Sequence, residues 1–354
     1  MPSPTDSSGA DATLRAAEAT AHRLAGELFA WDLTQALELA LLKTFCVPSI
    51  SGLLARTGEF ERRPRKRYDD TGLMVAELLR HGPGSPAGAA VIERMNRIHG
   101  HYAISNDDFL YVLSTFVAEP IRWLARYGWR PLTPLEQEHL FRFWCGVGER
   151  MGIANLPDSL AALLALNERV EREAFAPAAT NRRIAEATRA MLLADWPAPL
   201  RPALRRGLLG LLDGQTCVAL GWSTPPDWLQ TLVLQALRGR SRAAALVASA
   251  RRRLGRPAAA RFYSQQPTPS YGAAFRLEQL GPPPLLADLA KQEVPSFSRP
   301  PMVDPLQSPH FAIARTEDGW IIEARVTKDQ QGDWLLSRHE LDELHALLER
   351  VIAS

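Results

Sequence analysis

The sequence predicts an all-α body with a small β-hairpin-plus-helix appendage at its C-terminus, on three observations. Apolar residues recur at three and four positions through most of residues 13 to 255, as in Leu73, Val75, Leu78 and Leu79, or Phe109, Val112, Leu113, Phe116 and Val117. That is the helical period. No comparable alternation appears before about residue 310. With 354 residues, 46% of them hydrophobic, the chain can bury a large core, as one large domain with an appendage or as two domains.

Local start and stop signals cut the body into helices at 13–30, 32–45, 69–81, 86–99, 107–126, 134–151, 157–174, 178–195, 200–212, 225–238 and 240–254. Residues 1–12 are polar and acidic, and are expected to be disordered. Asp69 and Asp70 suit a first helical turn, and Gly82, Pro83 and Gly84 end that helix. Ser105, with Asp107 and Asp108, can cap the next long helix, in which Pro120 predicts a kink or a break. Thr133, Pro134 and Glu136 form a capping box, and Thr224–Pro225 opens another helix. These helices make up one domain, residues 13–285.

Between Arg256 and Pro309 the chain is rich in proline and has no sustained period, which reads as an ordered strap or a linker, with residues 286–309 taken as the linker. In the appendage, residues 310–354, His310–Thr316 and Trp320–Thr327 read as a hairpin turning at Asp318-Gly319, and Ser337 with Glu340 caps a final helix.

Charge excludes little: 41 basic against 39 acidic residues give a formal +2, so the overall balance demands no acidic partner. Aromatic residues are not interleaved with the arginines between Arg238 and Arg256, so nucleic-acid binding is not expected. Cys46, Cys145 and Cys217 are far apart and odd in number, which supports neither a disulfide framework nor a structural zinc site. The N-terminus lacks the basic start and apolar core of a signal peptide, and Leu33–Leu54 is too polar for a membrane span, so a cytoplasmic location is expected. Hydrolase, P-loop, zincin and dinucleotide-binding signatures are missing.

Candidate chemistry concentrates between Arg67 and Trp129. Arg67 and Thr71, at i and i+4, share a helix face. They could polarise bound oxygen, or be a surface arginine followed by an N-terminal threonine. His99 lies one step round from the apolar face of Ile92, Met95 and Ile98. A core-facing imidazole there could ligate haem iron or be a hydrogen-bonded structural histidine. His101 is only two residues on, so at most one of the two serves one iron. Glu136 and His139 form the E-x-x-H unit of di-iron bundles, with only Asp342 and His345 as a remote echo. Arg238, Arg240, Arg242, Arg251–Arg253 and Arg256 flank the apolar run Ala243–Ala250, a pattern for an anionic membrane surface or for a solvated helix end.

The order of several segments resembles the oxygenase family that includes the rubber-cleaving latex clearing proteins and the fungal mycophenolic acid biosynthesis oxygenase. Matching pieces are F-C-V-P-S-I-S-G-L-L at Phe45–Leu54, K-R-Y-D-D-T at Lys66–Thr71, R-M-N-R-I-H at Arg94–His99, I-S-N-D-D at Ile104–Asp108 and Y-G-W-R-P-L-T-P-L-E at Tyr127–Glu136. The resemblance covers roughly residues 30 to 280. It implies a helical fold around one haem b, histidine as proximal ligand, and dioxygen-dependent cleavage of an isoprenoid carbon–carbon double bond. By position it gives His99 the axial role, with His101 as the alternative, assigns Arg94 to cofactor binding, and puts Arg67 and Thr71 beside the distal pocket. Where the latex clearing branch has a lysine directly before the threonine, this chain has Asp70.

The expectation is therefore a haem b-dependent oxygenase acting on an apolar, unsaturated, isoprenoid or lipid-like substrate with dioxygen. A non-catalytic haem protein for electron transfer or gas sensing, and a haem-free helical protein docked on membranes, are the alternatives.

Overall fold

The computed structural model describes residues 4–254, 260–283, 285–286, 306–307, 311–316 and 319–324. The chain divides into two compact units, residues 1–286 and 287–354.

The first unit is helical. In order, its α-helices are α1 (Pro4–Arg23), α2 (Ala30–Thr44), α3 (Pro48–Thr57), α4 (Glu59–Arg62), α5 (Pro64–His81), α6 (Pro86–His99), α7 (Asn106–Tyr127), α8 (Pro134–Arg150), α9 (Leu160–Ala174), α10 (Ala179–Ala194), α11 (Arg201–Leu209), α12 (Gly214–Ala219) and α13 (Asp227–Arg253). α1 runs into a π-helical turn, Leu24–Leu28. Pairs α1/α8, α2/α7, α3/α10, α5/α6 and α7/α9 pack together. One core cluster gathers Leu42, Phe45, Phe60, Ile184, Leu212, Cys217 and Trp222 from α2, α4, α10, α12 and their connections.

The all-α expectation holds for this unit, with corrections at element level. Residues 4–12, expected to be disordered, lie in α1; a proline is tolerated in the first turn of a helix, where its missing N–H has no intrahelical partner to lose. α3 and α4 were not foreseen, although Pro48 opens α3 at its first turn and Gly58, at φ +67°, separates the two. α5 begins at Pro64 rather than at residue 69, so Asp69 and Asp70 sit in its second turn and are buried. Pro120 does not break α7, and Gly239 does not divide α13. In α7 burial of Val117, Ala118, Trp123 and Leu124 on both sides of the proline outweighs the lost backbone bond.

A buried ionic cluster ties α2, α7 and α9 together. Lys43 Nζ lies 2.8 Å from Glu119 and 3.1 Å from Glu171, and Arg122 lies 2.8 and 3.0 Å from the same two carboxylates. Two cations face two anions, the balance such burial requires.

After α13 the chain returns as an irregular strap, residues 260–283, laid on α5 and α6. Arg261 N donates to Gly26 O, Tyr263 Oη donates to Asp69 at 2.7 Å, and Gly281 N donates to Asp70 at 3.2 Å. Gly281 has φ +127°, and a Cβ there would meet Ile98 Cδ1 at 3.2 Å, so only glycine lets the strap lie this close to the end of α6.

In the second unit, three segments pair antiparallel in the order β1 (Leu306–Gln307), β2 (Phe311–Thr316), β3 (Gly319–Ala324), with Arg315 opposite Trp320. Asp318 and the final helix expected after Ser337 lie outside the described residues, as does most of the 286–309 linker.

Candidate functional site

α5 and the end of α6 bring the predicted pair and the predicted histidine together. Because α5 starts at Pro64, Arg67 and Thr71 lie one turn apart on one helix. Arg67 Nη1 donates to Thr71 Oγ1, and the threonine hydroxyl donates back to Arg67 O at 3.2 Å. The guanidinium also lies over the Phe60 ring, 5.1 Å from its centroid. Among the described residues Arg67 makes no ion pair, and burial pushes its pKa down from the ordinary arginine value.

His99 is the last residue of α6, half-buried, with its ring edge-on to Phe109 at 5.4 Å between centroids. Its Nδ1 is buried, with no hydrogen-bond partner among the described residues. Desolvation, reinforced by the positive charge of Arg67, lowers its pKa to about 4, so the imidazole is neutral at physiological pH. Arg67 also acts on Tyr102, whose hydroxyl is driven up by burial and drawn back down by that guanidinium. Arg67, held by Thr71 and Phe60, thus lies within electrostatic reach of Tyr102 and of His99, which packs on Phe109, so that a cation without an ion pair among the described residues acts on a neutral imidazole. The placement of Phe60 and Phe109 beside this pair and this histidine carried no sequence signal, since aromatic residues at helical spacing read as core. A surface concavity lined by Glu61, Arg182, Arg183 and Glu186 includes none of these side chains.

Other expectations fare differently. The helix ends at His99, and His101 beyond it is exposed, with Nδ1 2.7 Å from Arg97 O. Its ring is therefore already partnered outside the buried cluster. Arg94, expected to bind cofactor, is buried and donates to Leu280 O at 2.8 and 3.0 Å and to Glu278 O at 2.9 Å. This geometry makes it an anchor for the strap. Lys66 and Asp70 form an ion pair at 2.9 Å, and Lys66 also donates to Tyr271 Oη and Gly281 O. The residue at the position of the latex clearing lysine thus holds the strap too.

The E-x-x-H unit is taken up locally. Glu136 closes the capping box with Thr133 and pairs with Arg130 at 2.7 Å, which holds its carboxyl at about 2. His139 Nδ1 lies 2.7 Å from Thr20 Oγ1. Among the described residues no group of three or more His, Cys, Asp and Glu side chains is placed to hold a metal ion; Asp342 and His345 lie outside them.

Comparison with known proteins identifies the family. The family model described as "ER-bound oxygenase mpaB/B'/Rubber oxygenase, catalytic domain" matches residues 26–243. The ER-bound oxygenase mpaB of Penicillium roqueforti (strain FM164) is 30% identical over 192 residues, covering 49% of this chain and 64% of that protein. The mpaB' protein of Penicillium brevicompactum is 28% identical over 210 residues, 54% of this chain and 50% of that protein. The mpaB protein of the same species is 29% identical over 181 residues, 46% of each. The chain spans between about half and two thirds of the length of these curated relatives. Their names correct the expectation of a cytoplasmic location, because "ER-bound" points to membrane association. Among the described residues no single helix is long and apolar enough to cross a membrane; α2 and α3 reach that length and apolarity only together, bent by 96°. With the family model matching well over half of its residues, the chain belongs to the mpaB/B' and rubber oxygenase catalytic-domain family.

Proposed function

We propose that the protein is an oxygenase that holds haem b through His99 and uses dioxygen on an apolar, unsaturated, isoprenoid or lipid-like small molecule. The observation that carries this reading is the state of His99: a desolvated, neutral imidazole with an unpartnered buried Nδ1, beside a cation. A neutral imidazole is the form that ligates iron, and an orphaned buried ring nitrogen costs about 1–3 kcal/mol unless something satisfies it. Haem bound there would supply the activation of dioxygen, the chemistry that side chains alone do not provide.

The residues of the chain have separate tasks. Arg67 presents a fixed cation to negative charge that develops on oxygen during the reaction. Its own helix orients it, because Thr71 accepts from Nη1 while giving its proton to Arg67 O. Thr71 is therefore a positioning residue for the guanidinium. Phe60 under the guanidinium and Phe109 against the imidazole are apolar neighbours, and a low local polarity strengthens the field of Arg67. The membership of the chain in an oxygenase family supports the reaction class.

The test is the absorption spectrum of the purified protein. A Soret band is expected, lost in His99→Ala and kept in His101→Ala. Full haem content in His99→Ala would remove His99 from the axial role. A haem-loaded protein that forms no carbonyl product from squalene or geraniol-type alkenes under oxygen would leave a haem protein with a different reaction.

A further inference from the structure

The outer face of α13 is apolar along its whole length. Trp228, Leu232, Ala236, Gly239, Ala243, Leu246 and Ala250, with Leu254 directly after the helix, follow one another at three and four positions. At 100° per residue they fall within an arc of roughly 80°. They are exposed: Trp228 is 64% accessible, Leu232 57%, Leu246 72% and Leu254 74%. The other side is docked, with Ser241 buried and Arg238 Nε donating to Arg126 O of α7 at 2.9 Å, and Leu229 at the edge of the stripe is buried as well. A helix of 27 residues is about 40 Å long, so the stripe is an extended feature and not a single stray leucine.

Charge selects what covers it. α13 carries Arg238, Arg240, Arg242, Arg251, Arg252 and Arg253 against one acid, Asp227 at its start. Arg240 is fixed over the exposed Trp31 ring, 3.3 Å from its centroid, and lies 3.5 Å from Asp32. Exposed Arg242 and Arg253 flank the stripe itself. Two copies meeting through this face would set arginine-rich flanks against each other, which disfavours self-association. A surface with an apolar interior and anionic headgroups satisfies both the stripe and its borders, and a tryptophan at one end suits the boundary between them.

We infer that α13 lies in the surface of an anionic lipid bilayer, with Trp228, Leu232, Leu246 and Leu254 inserted and Arg242 and Arg253 among the headgroups. The site is a peripheral docking surface, and it stands whether or not His99 holds haem.

The test uses the full chain and co-sedimentation with vesicles of phosphatidylcholine alone or with about 30% phosphatidylserine. Binding to the anionic vesicles is expected, falling steeply at high salt, where attraction between exposed charges is screened. Leu232→Glu with Leu246→Glu should abolish it while the helical circular dichroism is unchanged. Arg242→Gln and Arg253→Gln should each weaken it roughly fivefold. Absence of wild-type binding to anionic vesicles overturns the inference, as does full binding by the leucine variant. A wild-type dimer that the leucine variant turns into monomers would instead make the face an interface between copies and also overturn it.

Discussion

Two faces of α5 treat charge in opposite ways. On one, Lys66, Asp69 and Asp70 are latched: Asp69 accepts from Tyr263 and Ser270, Asp70 accepts from Lys66, Tyr271 and Gly281, and the strap is fixed by the exchange. On the other, Arg67 has a threonine of its own helix and an aromatic ring, with no carboxylate paired to it among the described residues. Burying a charge costs several kcal/mol unless partners offset it. The latched face offsets that cost and contributes order. The open face leaves its cation underpaired, which is the condition under which it can stabilise charge that appears only during a reaction.

Breaking the latched face should have the largest effect. Asp70→Ala leaves the Lys66 ammonium, the Tyr271 hydroxyl and the Gly281 N–H without their shared acceptor, and should cost about 3–4 kcal/mol in denaturant unfolding. Early proteolysis between residues 260 and 283 should accompany it. A variant as stable as wild type, with a protected strap, would show that the latch holds nothing.

Acid separates the faces by sign. His99 in the folded protein titrates at about 4, whereas the unfolded imidazole takes a proton near 6.5. Between those values the unfolded state binds more protons, so stability falls as pH drops through this window, by up to about 3 kcal/mol at pH 4. Burial raises the Asp70 carboxyl above its usual range, so that group works the other way, its burial cost being relieved as it protonates. Cofactor-free wild type compared with His99→Gln over pH 4 to 7 measures the first effect; equal slopes for the two proteins would disprove it.

On the open face, Arg67→Ala should change stability by less than about 1 kcal/mol, because its hydrogen-bond partner is local. It should lower oxygen-dependent kcat/KM by about 100-fold. The combination is the signature: a stability loss matching that of Asp70→Ala would make Arg67 a second latch.

The periodicity of the sequence revealed the helical body, and the i,i+4 spacing placed Arg67 and Thr71 together, because both signals are local. The latch was not legible. Asp69 and Asp70 look like first-turn acids, and their partners Tyr263, Ser270, Tyr271 and Gly281 lie about two hundred residues away, beyond any local period. The basic run before Arg67 hid the start of α5 at Pro64 for a related reason, since arginines there read as solvated until tertiary partners are known. The preference for His99 over His101 came from the resemblance alone; what no local pattern gave is the end of α6 at His99, after which the second ring leaves for solvent. Exposure of the α13 stripe is likewise a tertiary fact: the same leucine spacing would serve a buried helix.

The smallest effect tests how the open face is held. Thr71 donates to Arg67 O and accepts from Arg67 Nη1, so a hydroxyl is needed while the methyl group is not. Thr71→Ser should retain near wild-type turnover. Thr71→Val keeps the shape but loses the acceptor, and the guanidinium then has only the Phe60 face to orient it. A loss of about tenfold in kcat with KM little changed is expected, near 1.4 kcal/mol in the barrier, at the lower edge of what one hydrogen bond to a charged group contributes. Because the lost contact lies within one helix, denaturant stability should move by under about 1 kcal/mol. Wild-type rates in both variants would mean that Arg67 orients itself; a loss in the serine variant with none in the valine variant would mean that packing of the methyl group, and not the hydroxyl, holds the guanidinium in place.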